Sequence, residues 1–103
     1  MKWRLDLRRE AEVDILSAAS WYQSKSPGVE LRFVQEVDDC VAFIMSNPRG
    51  PALVNRTDRQ FPLKTFPFHV VFTIVVDVVL IMRVYHMKRD PRRRVARTMR
   101  RRR

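Results

Sequence analysis

Residues 68–85 read FHVVFTIVVDVVLIMRVY, two runs of Val, Ile, Phe and Tyr separated by one turn-forming residue, Asp77. Such residues suit a pleated, half-buried surface, so Phe68–Val75 and Val78–Tyr85 are predicted to be neighbouring strands joined as a hairpin. The loop length decides which side chains meet, because a slip of one residue turns every side chain to the other face. A three-residue loop pairs Ile74 with Val78 and sets His69 opposite Arg83, on the face away from Phe68, Val70 and Phe72. A two-residue loop sends Arg83 to the face opposite His69, and a buried guanidinium without its partner costs about 3–5 kcal/mol. The three-residue loop is therefore expected, with His69 and Arg83 forming a polar patch on an exposed sheet surface.

Upstream of the hairpin, Arg59–Thr65 reads as a third strand, after a loop over Pro51–Asp58. Before that loop, Ser26 followed by Pro27 fits a helix start. The stripe Val34, Val37, Val41, Ile44 and Met45 continues that helix until Asn47, Pro48 and Gly50 stop it. An earlier stripe, Ala11, Ile15, Ala18, Ala19 and Tyr22, has the 3.6-residue period of another amphipathic helix. Glu10, Glu12 and Asp14 suit the positive end of its dipole, although no good capping residue precedes it. Lys2–Arg8 alternates, with Trp3, Leu5 and Leu7 facing one way, as in a strand with one buried face. The order β-α-α-β-β-β predicts an α+β fold, a helical hairpin packed on one face of a mainly antiparallel sheet.

The chain has 103 residues and a formal charge of +10, enough length for one domain. The charge is uneven. Residues 1–87 hold eleven Lys and Arg against ten Asp and Glu, and residues 88–103 hold ten against one. A domain over 1–87 and a basic tail over 88–103 are expected. The tail is either a solvated end or a short helix with Val95 and Met99 on one side. The lone Cys40 cannot close an internal disulfide, and with His69 and His86 it is too few for a four-ligand zinc site. Neither a metal nor a cofactor is expected. No secretory signal is visible at the start, and Ile74–Met82, interrupted by Asp77, is far shorter than the ~20 residues of a membrane span. A cytoplasmic protein is expected.

Several segments in this order resemble toxins of the RelE/ParE superfamily. They are Trp21-Tyr22, Ser26-Pro27-Gly28, Asn47-Pro48, the stretch from Phe66 to Phe72, and Val84-Tyr85-His86-Met87-Lys88-Arg89-Asp90-Pro91. The similarity covers roughly residues 3 to 94. It implies the fold just derived with a strongly twisted sheet, a place in a type II toxin–antitoxin system, and a cognate antitoxin as partner. Two targets follow from it: RelE-like members cleave mRNA in the ribosome, whereas ParE-like members act on DNA gyrase. No small-molecule substrate is expected.

Metal-free RNA cleavage needs a base for the 2′-OH, a proton donor for the leaving oxygen and cations for the phosphate. If the chain is RelE-like, His69, Arg83 and His86 are the candidate catalytic residues. His69 stands where RelE-like enzymes commonly carry Arg, Phe72 lacks the hydroxyl of the usual Tyr, and Met87 replaces the Tyr after the terminal His. These departures favour the gyrase reading slightly over the endonuclease reading. An inactive member or a basic nucleic-acid-binding module is the third possibility. Arg59, Lys64, Lys88, Arg89, Arg92, Arg93 and Arg94 are candidate contacts to nucleic acid or partner, since cationic clusters attract any polyanion. For Arg59 and Lys64 the alternative is protection of a sheet edge. For Arg83 it is a salt bridge with Asp6 or Asp77. Cys40 is expected to be a small packed residue.

Overall fold

A computed structural model describes residues 2–88; Arg89, Arg92, Arg93, Arg94 and the question of a helical tail lie outside the described residues. Six elements follow one another: β1 (Arg4–Leu7), α1 (Arg9–Lys25), α2 (Val29–Ser46), β2 (Asp58–Pro62), β3 (Phe68–Val75) and β4 (Val78–His86). The strands form one sheet in the order β1-β4-β3-β2, with β1 parallel to β4 and the other pairs antiparallel. The two helices cover one face, α1 over β4 and α2 over β2 and β3. The α+β architecture expected from the sequence is the one observed. Among the described residues, no helix is long and apolar enough to cross a membrane.

The core lies between helices and sheet. Phe33, Val37, Cys40 and Ile44 of α2 and Ala11 of α1 are buried there against Phe68, Val70, Phe72, Val79, Ile81 and Val84. The α1 stripe matches the expected one, with Ile15, Ala18, Ala19 and Tyr22 flanking the core. The α2 stripe differs. Val34 is 37% exposed, and the buried positions 33, 37, 40 and 44 repeat at i, i+4, i+7 and i+11. Phe33 sets that phase, being the largest side chain to bury. Cys40 is packed as expected, and burial pushes its thiol up to about 11.

The start of α2 also departs from the Ser26–Pro27 reading. Ser26 closes α1, its amide donating to the Tyr22 carbonyl at 2.8 Å. Gly28 then precedes Val29 at φ 101°, a left-handed conformation that glycine adopts without a Cβ clash. The Gly28 amide donates to the Glu30 carboxylate at 2.6 Å. Within the sheet, β2 runs over Asp58–Pro62 and not to Thr65: the Leu63 amide makes the last link to β3, donating to the Phe68 carbonyl at 2.9 Å, and the Phe68 amide already turns back to the Phe66 carbonyl. The segment after it is tied instead to α2, with Glu36 accepting from the Thr65 amide, the Thr65 hydroxyl and the Phe66 amide.

Partial burial works against the Glu36 charge, but the three hydrogen bonds and nearby Arg32 outweigh it and hold its pKa below the usual value of 4.5. A carboxylate with a lowered folded-state pKa stabilises the fold fully above its unfolded value, and that contribution is lost as the pH falls through the folded value. The thermal midpoint of the wild type is therefore expected to drop as the pH is lowered below about 4.5. A pH series on Glu36→Gln should show a shallower drop.

Candidate functional site

The β3–β4 hairpin carries the site, and its register differs from expectation at two points. The turn has two residues, Val76 and Asp77, so that Val75 pairs with Val78. A bulge between Val71 and Phe72 of β3, with Met82 as the extra residue of β4, then shifts the ladder. Arg83 pairs with Val71, His69 with Tyr85, and Phe68 with His86. His69 is thus not opposite Arg83.

The physical reason lies in α1. Strand β1 pairs with β4 only as far as Ile81, whereas β4 runs on to His86. The chain leaves β1 with the Arg8 amide donating to the Ile81 carbonyl at 2.9 Å and turns into α1. The Asp14 carboxylate then takes the place of a neighbouring strand. It accepts the Val84 amide at 2.9 Å and both Nε and Nη2 of Arg83, at 2.8 and 2.9 Å. Such two-point pairing is the strong form of a carboxylate–guanidinium contact. The hydrogen-bonded Asp14 carboxylate raises the Arg83 pKa further, against the effect of burial. Arg83 thus finds its partner through a bulge and Asp14, not through a longer loop or a bridge to Asp6 or Asp77.

Between α1 and the part of β4 that β1 does not reach lies a groove of about 660 Å³. Ser17, Ala18 and Trp21 form the α1 wall, Tyr85 and His86 the β4 wall, and Tyr22, Pro67 and Phe68 line it further. The Asp14–Arg83 pair closes one end, beyond which Arg9, Glu10 and Val13 border a second hollow of about 330 Å³. Trp21 is 55% exposed. Its ring stands edge-on to Tyr22 at 5.1 Å, with the Lys25 ammonium 5.7 Å from its centroid. Trp21 is therefore a groove wall more than a core residue.

The three candidate catalytic residues are not brought to one point. Cross-strand partners share a sheet face, so His86 lies with Phe68 on the helix side and His69 with Tyr85 on the other. The His86 ring meets Phe68 edge-on at 5.1 Å, and its Nδ1 accepts the Lys88 amide at 3.1 Å. His69 is 6% exposed and Val71 is 2% exposed, so the centre of the far face is not the open polar patch expected from sequence. What does assemble is Arg83, Tyr85 and His69. The Arg83 guanidinium lies 4.7 Å from the Tyr85 centroid, and Tyr85 meets His69 edge-on at 6.4 Å.

Among the candidate contact residues, Arg59 donates from Nη1 to the carbonyls of Arg49 and Pro51, at 2.9 and 2.8 Å, and so braces the loop after α2. Lys64 and Lys88 are exposed. Asp14, Trp21 and Tyr85 were not singled out as site residues by sequence reasoning. For Asp14 a signal existed: an acid at position 14 falls on the same side of α1 as Ala11, Ile15 and Ala18.

A helical hairpin on a β1-β4-β3-β2 sheet, with a groove where β4 outruns β1, defines a RelE/ParE-superfamily fold. A model of the ParE toxins of type II toxin–antitoxin systems, parDE, matches residues 5–91, and the chain belongs to that toxin family. A solved structure described as the chromosomal ParDE TA system from P. aeruginosa has the same fold, with a TM-score of 0.74 at 20% identity, covering 82% of this chain and 95% of that one. Comparison with curated protein sequences finds no match.

Proposed function

We propose that this toxin arrests the growth of its own cell by blocking DNA gyrase through binding, without catalysis of its own, and that an antitoxin silences it. The observation that carries the reading is the commitment of Arg83. The cation that an RNA-cutting centre would aim at phosphate is held at two points by Asp14, and His69 and His86 lie on opposite faces of the sheet. Membership of the ParE branch supports the same target. The antitoxin's seat is the groove along α1, whose apolar walls suit the apolar face of a partner helix or strand, with acids of the partner meeting the basic residues from Lys88 onward.

The cluster of His69, Tyr85 and Arg83 favours a second reading, ribosome-dependent mRNA cleavage, because Tyr85 supplies a hydroxyl that Phe72 lacks. One experiment separates the two. Purified toxin is expected to stop supercoiling by purified gyrase and to leave transcripts intact on translating ribosomes. Cut transcripts with normal supercoiling would establish the second reading instead.

A further inference from the structure

The tip of the β3–β4 hairpin is strained and apolar at once. Val76 has φ 59°, and among the described residues it is the one residue other than glycine with positive φ. The first central position of a two-residue hairpin turn belongs to Gly, Asn or Asp. A β-branched residue is poorly suited there, because its Cβ crowds the backbone. Packing gives no compensation, since Val76 is 86% exposed and Val75 51% exposed. The base of the turn is fixed, however. The Arg4 amide donates to the Asp77 carbonyl at 2.8 Å, and the Arg4 guanidinium meets the Asp77 carboxylate at 3.4 Å. Strain of this kind persists where the surroundings over-determine it, and it gathers at functional positions.

We propose that the Val75–Val76 tip is a rigid apolar knob with which the toxin engages the surface of its target protein; this rests on the reading that the target is a protein. Nucleic acid is the poorer occupant, because contact with a phosphate backbone needs cations, whereas the tip itself is two valines and the adjacent Arg4 is paired with Asp77. A second copy of the chain is also poorer. Two valines cover far less than the roughly 1,000 Å² that a stable self-association needs, so the knob is one anchor within a contact to a larger partner. The antitoxin's proposed seat lies towards the other end of β4, roughly 25 Å away at about 3.3 Å per residue.

The test replaces the knob by residues that fit the turn better. Val76→Gly and Val76→Asn are expected to keep or slightly raise the thermal midpoint, while growth arrest is lost or needs about tenfold more toxin, the scale of removing one interface anchor. Inhibition of purified gyrase should fall in parallel, and Val76→Ile should retain both activities. Growth arrest at wild-type strength in the Gly and Asn variants overturns the proposal, including the case where only neutralisation by the antitoxin is weakened, which would assign the tip to that partner. If the wild type arrests growth without touching supercoiling, the gyrase reading fails while the knob is still judged by the loss of arrest.

Discussion

Phe33→Ala is expected to lower the thermal midpoint by more than about 12 °C, the largest effect of any single truncation considered. Phe33 is fully buried, and its ring lies 5.4 Å from Tyr22, 5.4 Å from Phe66 and 5.1 Å from Phe68. Removing a buried Phe forfeits its transfer free energy and leaves a cavity, at a cost of about 3–5 kcal/mol. In a domain of this size each kcal/mol moves the midpoint by about 4–8 °C. Phe43→Ala is the matched control on the same helix. Phe43 is 56% exposed and stacks on Phe61 at 4.8 Å, so its loss should cost about 1–2 kcal/mol, well below the loss at Phe33. Thermal unfolding followed by circular dichroism compares the two. Tyr22 and Phe68 also line the groove proposed as the antitoxin's seat, so the Phe33 variant should bind antitoxin less tightly even where it remains folded.

Asp14→Ala is the second large effect. It removes the acceptor for three hydrogen bonds and leaves both a guanidinium and a strand amide without their partner. Breaking a fully buried pair costs about 3–5 kcal/mol. Here the Arg83 side chain is 39% exposed and that of Asp14 14%, so solvent recovers part of the loss and about 2 kcal/mol is expected. Arg83→Met should cost less than Asp14→Ala, because Asp14 still accepts the Val84 amide. Denaturant midpoints of the two single variants and the double variant test this order. Equal losses from the two single changes would show that the Val84 amide does not depend on Asp14.

The same residues show why part of this molecule is legible in sequence and part is not. The hairpin, the α1 stripe and the α+β order follow from apolar periodicity, because burial against a second layer imposes it. The turn length does not, since Val76 lacks the residue chemistry that announces a two-residue loop. The bulge at Met82 is equally hidden. It answers to a pairing between Asp14 and Arg83, 69 positions apart, and no local pattern records such a contact. The helix boundary at Gly28 was obscured because Ser26-Pro27 is a valid start signal one step upstream of a glycine that needs φ 101°. For the site, sequence named Arg83 and His86, which do line the groove. It missed Asp14 and Trp21 because wall positions depend on how far β4 outruns β1, a tertiary length difference.

The edge position of β1 has a consequence in time. Its strand partner begins at Val78, 74 residues after Arg4, so the sheet cannot complete that edge until almost the whole described chain has been made. At a synthesis rate of roughly 5–20 residues per second this delay lasts about 4–15 s. A toxin of this family thus gains its finished sheet only after β4 has been made, which leaves an interval in which a neutralising partner can already be waiting.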